Sequence, residues 1–279
     1  DVDDDDEGGD DDDDEGGDDD DDDDDRGDDD DDDDDAEPSD QPPVTAGGLY
    51  TKQSYPIAEL ERPLTLIGGM LEARAGIDID VSKALAFETW RAKVDLRYGL
   101  QDNVELQGGA VIGLTGPDPV GRPPTALYAG VELGIAYDLV DLRVLAQIPV
   151  DPEFLFDIAL GFPFRYKPKP QVAIIALDKL MTIHTMGPGD ADVPKPDLTI
   201  GVGVVYQALP ALALLLRGEV TIPEFNTDFI AIPATAAVQF SPSNTIDIGG
   251  EFTLGNLKVE DPASPFDQRS LLLYLQARL

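Results

Sequence analysis

Charged side chains stand at every second position along two apolar runs. Glu72 and Arg74 lie two apart in LEARAGIDID, and Arg91, Lys93, Asp95 and Arg97 keep the same step in WRAKVDLRYG. A step of two puts such groups on one face of a β-strand and leaves the intervening apolar residues on the other. Later runs place single charges in the same way: Glu105, Glu132, Asp157, Arg217, Glu219, Asp247 and Glu251. A shared face of mixed charge has two uses. It can line a water-filled passage, where charge sets which solutes pass, or it can pair across strands and fill a narrow interior. His184, the only histidine, lies near Thr182 and Thr185 and raises a third possibility, a hydroxyl nucleophile with a base. A triad is recognised by geometry rather than by one residue, and no Ser-containing motif accompanies His184. We therefore assign no catalytic residue, and an ordinary strand or loop histidine is expected.

Twelve segments carry the alternation that must position these charges. They run from Met70–Asp80 to the C-terminal Leu271–Leu279, and 171–186 is the least regular of them. They are about 10–14 residues long, where strands of globular sheets peak at ~5–6 and membrane-spanning strands need ~9–11. The breaks alternate as well. Those at 99–103, 138–141, 167–171, 207–210 and 241–244 are short. Those near 81–88, 115–125, 187–196, 223–228 and 257–269 are mostly longer and rich in Pro, Gly or Asp, and 149–154 is a short exception. An aromatic precedes each short break: Tyr98, Tyr137, Tyr166, Tyr206 and Phe240. Aromatic girdles, an even strand count and short turns at one end are the marks of a transmembrane β-barrel. The expected fold is an all-β, antiparallel up-and-down barrel of about twelve strands over residues 60–279. A soluble sandwich also alternates, but here the apolar residues hold one face of nearly every strand.

The acidic excess is concentrated at the start. Residues 1–40 hold 27 Asp and 3 Glu against one Arg, a net of −29, while the whole chain is −39. With almost nothing apolar to bury, residues 1–45 are expected to be a disordered tail, followed by a Pro- and Gly-bearing linker over 46–59. Such a charge excludes nucleic acid as a partner for the tail. Carboxylates suit Ca²⁺, yet the Asp runs lack spaced ligands, so we expect diffuse, weak binding and no specific metal or cofactor site. The sequence has no cysteine and no apolar run of ~18 residues that could form a membrane-spanning helix. It begins at Asp1 without Met or a basic-then-apolar leader, and a signal peptide removed upstream is the expectation, with an artificial boundary as the alternative.

The ending LLLYLQARL, apolar at every second position, resembles the C-terminal strand of bacterial outer-membrane barrels, with Leu279 where those proteins usually carry an aromatic. The stretch ELERPLTLIGGMLEARAGIDID resembles the opening strand of porin-like or transporter-like barrels. The resemblance implies the bacterial outer membrane, its lipid, and the barrel-assembly machinery as partners. Combined with the rule that short turns are periplasmic, it puts the N-terminal tail in the periplasm. The expected function is passage of small polar solutes or ions. A structural or anchoring barrel with a filled lumen is the alternative, and an outer-membrane hydrolase a distant third.

Overall fold

Alternating apolar and polar residues become paired strands throughout the computed structural model, which describes residues 48–84, 86–117, 121–151, 156–185, 195–258, 264 and 266–279. The Asp-rich tail, the start of the linker and parts of the longer loops lie outside the described residues. The strands are β1 (Leu71–Asp80), β2 (Trp90–Gln101), β3 (Val104–Thr115), β4 (Thr125–Ala136) and β5 (Val140–Asp151). Then come β6, in two pieces (Asp157–Gly161 and Phe164–Lys169), and β7, also in two pieces (Val172–Ala176 and Met181–His184). The rest are β8 (Asp197–Leu209), β9 (Leu212–Ile222), β10 (Ala234–Phe240), β11 (Ile246–Leu254) and β12 (Arg269–Arg278).

Each strand pairs antiparallel with its neighbour in sequence, and β12 returns to β1 from Glu72↔Arg278 to Asp80↔Ser270. The sheet is thus a closed twelve-stranded barrel with no free edge, the form in which strands can cross a bilayer. Apolar side chains such as Leu96, Ile112, Leu127, Val202 and Leu216 point outward and are exposed.

The interruptions in β6 and β7 face each other and have one cause. Pro163 cannot donate to the ladder, so Phe162 N–H bonds instead to Leu177 O, and Leu177 takes a left-handed conformation (φ 58°). This turns Asp178 into the lumen, where it meets Arg217 at 2.7 Å.

Two sequence expectations need correction ahead of β1. The stretch resembling an opening strand is strand only from Leu71; residues before it form a 3-10 turn at Glu59–Glu61 and irregular backbone. The described part of the 46–59 linker is also no free tether. Tyr55 is buried, as are Leu60, Leu66, Ile67 and Met70 beyond it. Residues 55–66 cross the interior of the barrel at the short-turn end. Gly99 makes room for this: a Cβ there would collide with the backbone carbonyl of Ile67, so only glycine lets the crossing segment lie against β2.

Candidate functional site

The lumen wall is built by one face of every strand, so its chemistry is fixed by alternate residues. The thirteen charged residues singled out from the sequence stand on the face opposite the exposed apolar side chains. They form three tiers.

The lowest tier, at the short-turn end, binds three carboxylates to three guanidiniums. Asp247 is fully buried and accepts two bonds from Arg62 (2.9 Å each), one from Gln276 (2.9 Å) and one from Arg278. Glu72 accepts from Arg97 (3.0 Å), Arg278 (2.7 Å) and Gln276 (2.9 Å). Glu105, also fully buried, accepts from Arg97 (2.7 and 2.8 Å) and from the Leu66 backbone N–H (2.9 Å). Buried charges are tolerated only when paired and hydrogen-bonded, and each of these is. Arg62 belongs to the crossing segment, so that segment is tied to the wall by charge as well as by apolar packing.

The middle tier is more open. Arg74 pairs with Glu251 and stacks on the Tyr274 ring, 3.5 Å from its centroid. Gly249 leaves the space that Tyr274 fills; a Cβ would strike the ring. Arg143 donates to Glu132 (2.7 Å), Tyr128 to Asp95, and Arg217 reaches both Asp178 and Glu219 (2.8 Å). The upper tier, toward the longer loops, has Arg91 and Lys93 each 3.3 Å from Asp78, and His184 between Asp157 (2.9 Å) and Asp197 (3.4 Å). No hydroxyl hydrogen-bonds to His184 among the described residues; Thr185 Oγ1 donates to Phe156 O instead.

A cavity of about 600 Å³ lies above the crossing segment, lined among others by Arg74, Asp95, Arg97, Tyr128, Glu132 and Arg143. A second of about 260 Å³ adjoins it. One wall of the smaller cavity is apolar: Ile175 (β7), Val205 (β8), Ala213 and Leu215 (β9) and Ala237 (β10). Leu60 of the crossing segment packs into this wall with Ala173, Val205 and Ala213.

Sequence reasoning did not assign several residues of the site. Arg143, Tyr128, Tyr274, Gln276 and Arg278 stand at inward positions of the alternation, and their two-residue step from assigned charges was the available signal. Arg62 and Asp178 lie outside regular strands, where alternation gives no direction. Of the five girdle aromatics, Tyr98, Tyr166, Tyr206 and Phe240 are exposed on the outer face. Tyr137 is not: it sits in the β4–β5 turn, where Asp138 has φ 52°, and packs with Tyr50 on the cluster of Tyr55, Leu66, Ile67 and Met70. The last paired residues are Ala136 and Val140, so no strand directs its side chain. Burial pushes the Tyr137 hydroxyl up to about 12, with Asp138 adding to the rise. Among the described residues no group of three or more His, Asp or Glu is arranged to hold a metal ion.

This is the fold of porin-like outer-membrane β-barrels. Solved structures share it. The NanC porin matches with a TM-score of 0.53 at 9% identity, over 75% of this chain and 100% of that one. The KdgM porin matches at 0.50 and 6% identity, over 74% and 98%. An outer-membrane channel from Pseudomonas putida F1 matches at 0.50 and 9% identity, over 78% and 98%. No family model matches the sequence, and no curated protein is similar to it.

Proposed function

We propose that this protein is an outer-membrane channel for small polar solutes or ions. The observation that carries the reading is the cavity of about 600 Å³ inside the barrel, walled by ion-paired groups that remain partly exposed to it. Twelve strands give a lumen between the filled eight-stranded barrel and the open porin of sixteen, in keeping with a narrow, selective passage. The solved structures of like fold are porins and a channel, which supports the same reading. Arginines and carboxylates alternate around the middle tier, so the wall presents no single sign of charge, and size and polarity govern passage.

The crossing of residues 55–66 at the short-turn end favours a second reading, an anchoring barrel whose lumen is filled. Planar-bilayer recordings separate the two. A channel gives defined, salt-dependent current steps, whereas a correctly folded barrel that stays silent supports the anchor.

Both described ends of the chain lie at the short-turn end, and with short turns periplasmic the acidic tail is periplasmic too. Residues 1–45 are not required for folding on this reading, so a chain starting at Gly47 still yields a heat-modifiable barrel. Wherever the net −29 of residues 1–40 comes within a Debye length of the entrance, ~8 Å at physiological salt, it raises the local cation concentration. Reversal potentials in a tenfold KCl gradient test this. Cation selectivity that falls on deleting the tail supports the idea, and identical potentials make the tail an inert spacer for permeation. Ca²⁺ association with the tail is diffuse and weak. The C-terminal strand is the element offered to the assembly machinery.

A further inference from the structure

The lumen is not polar all round. Inward positions on the short-turn half of β7–β10 hold Ala173, Ile175, Gly203, Val205, Ala213, Leu215 and Ala237, bordered at the turn end by the amides Gln207 and Gln239, with no charge among them. Leu60 covers part of this strip, where Ala173, Val205 and Ala213 are buried beneath it. The strip continues past Leu60: Ile175, Leu215 and Ala237 are only half-buried and line the cavity of about 260 Å³. Anchoring Leu60 does not explain that continuation. An apolar surface facing a water-filled space marks a place where something apolar binds.

The opposite side of the same cavity supplies the head-group chemistry. Arg74 uses one terminal nitrogen on Glu251 and its face on Tyr274. Its remaining N–H groups make no hydrogen bond among the described residues, and its side chain keeps 27% of its surface exposed. The carboxylates lining the cavity are already engaged: Glu251 with Arg74, Asp178 with Arg217, and Glu59 with Arg62 and Gln239. The unspent polar capacity is therefore a cationic donor, with the fork geometry that suits a carboxylate. The volume lies below the ~300–1,000 Å³ of drug-sized sites, so the apolar body is a short chain or a single ring.

We propose that this compartment binds small amphipathic monocarboxylates, with the apolar body on the β7–β10 strip and the carboxylate on Arg74. The proposal rests on the channel reading and names a solute class for it. Glu251 competes with the ligand for Arg74, so the two partners have opposite effects. Removing Arg74 weakens binding, and neutralising Glu251 strengthens it. A purely structural ion pair gives the same loss from either side.

Titration calorimetry on the full chain in lipid nanodiscs, with protein-free nanodiscs subtracted, tests the site. The probes are acetate, hexanoate and hexylammonium. Each buried methylene strengthens binding about fourfold, so hexanoate is expected to bind at least tenfold more tightly than acetate, and tenfold more tightly than hexylammonium. Arg74→Gln is expected to abolish the preference over hexylammonium, Glu251→Gln to raise hexanoate affinity several-fold, and Ile175→Thr to flatten the dependence on chain length. Equal affinity for acetate and hexanoate overturns the proposal, as does hexylammonium binding as tightly as hexanoate. The outcome is separable from the channel reading. A barrel that binds hexanoate yet carries no current keeps the site and loses the channel. One that conducts without chain-length dependence keeps the channel and loses the site.

Discussion

The two walls of the lumen solve the same problem by different means. Along β1, β2, β11 and β12 the inner face is rich in charge, and its deeply buried carboxylates are ion-paired: Glu72 and Asp247 with two guanidiniums each, Asp78 with Arg91 and Lys93. Along the short-turn half of β7–β10 the inner face carries no charge: it is apolar or glycine except for the amides Gln207 and Gln239. The crossing segment reads both walls: Arg62 reaches Asp247 on the charged side, and two residues earlier Leu60 enters the apolar side. Neither contact alone fixes a twelve-residue stretch of irregular backbone. Together they define its height and rotation in the barrel, because an ion pair is directional and apolar packing is not. The difference also explains why the middle tier stays open. There the charges are satisfied by one or two partners rather than three or four, and Arg74, Arg143, Arg217, Glu219 and Glu251 keep part of their surface open to water or a solute, while Glu132 is buried.

The charged wall should be the more costly to break. Asp247→Ala leaves Arg62 and Arg278 buried without their shared acceptor, and removing one partner of a buried pair costs ~3–5 kcal/mol. Unfolding in lipid vesicles measures it; a loss below 1 kcal/mol would show that the lowest tier is not structural. The apolar wall comes next. Leu60→Ala removes a buried side chain and is expected to weaken the seating of residues 55–66 by about 2–3 kcal/mol, within the range for Leu→Ala. The readout is faster amide exchange at Leu60 and Leu66 with the unfolding midpoint of the barrel unchanged. A fall in that midpoint would mean that segment and wall fold as one unit.

The smallest effect lies beneath both walls, at the aromatic cluster around Tyr55 and Tyr137. Burial raises the hydroxyl of Tyr137 to about 12, and raises those of Tyr50 and Tyr55 as well. The fold therefore favours the neutral phenol. That stabilisation is fully present below the ordinary tyrosine value of about 10 and is lost as pH rises through about 12. Unfolding midpoints should be flat to pH 10 and decline above it, with a shallower decline in Tyr137→Phe. Identical declines in the two proteins would assign the loss to other groups.

Much of this was legible in the sequence because a strand imposes a period of two, and a membrane imposes apolar residues on one phase of it. The barrel, the strand count and the direction of Glu105, Asp247 or Arg217 follow from that alone. What was not legible lies where no strand sets a period. Arg62 sits in ELERPLT, which looks like the start of a strand, yet its partners Asp247 and Ser241 are 185 and 179 residues away. Asp178 points inward only because Pro163 breaks the neighbouring ladder. The division into two walls was written in the residues, since VGVVYQALPALALLL is visibly poor in charge. Seeing it as one surface required the register that sets Val205 opposite both Ala173 and Leu215.

On the proposed channel reading the lumen is a passage and residues 55–66 stand across it. The chain has no cysteine, so a pair placed at Glu59→Cys and Gln239→Cys is unique; the native side chains meet at 2.7 Å. A short bis-methanethiosulfonate crosslinker, which joins the two thiols through reducible disulfides, then pins the segment to β10 while Leu60 keeps its packing and Arg62 its bonds to Asp247. Single-channel current in a planar bilayer is recorded before linking, after linking and after reduction. The account requires current that falls sharply on linking and returns on reduction. Unchanged current through the linked protein would show that solutes do not pass this segment, and silence in all three states would leave a filled barrel rather than a channel.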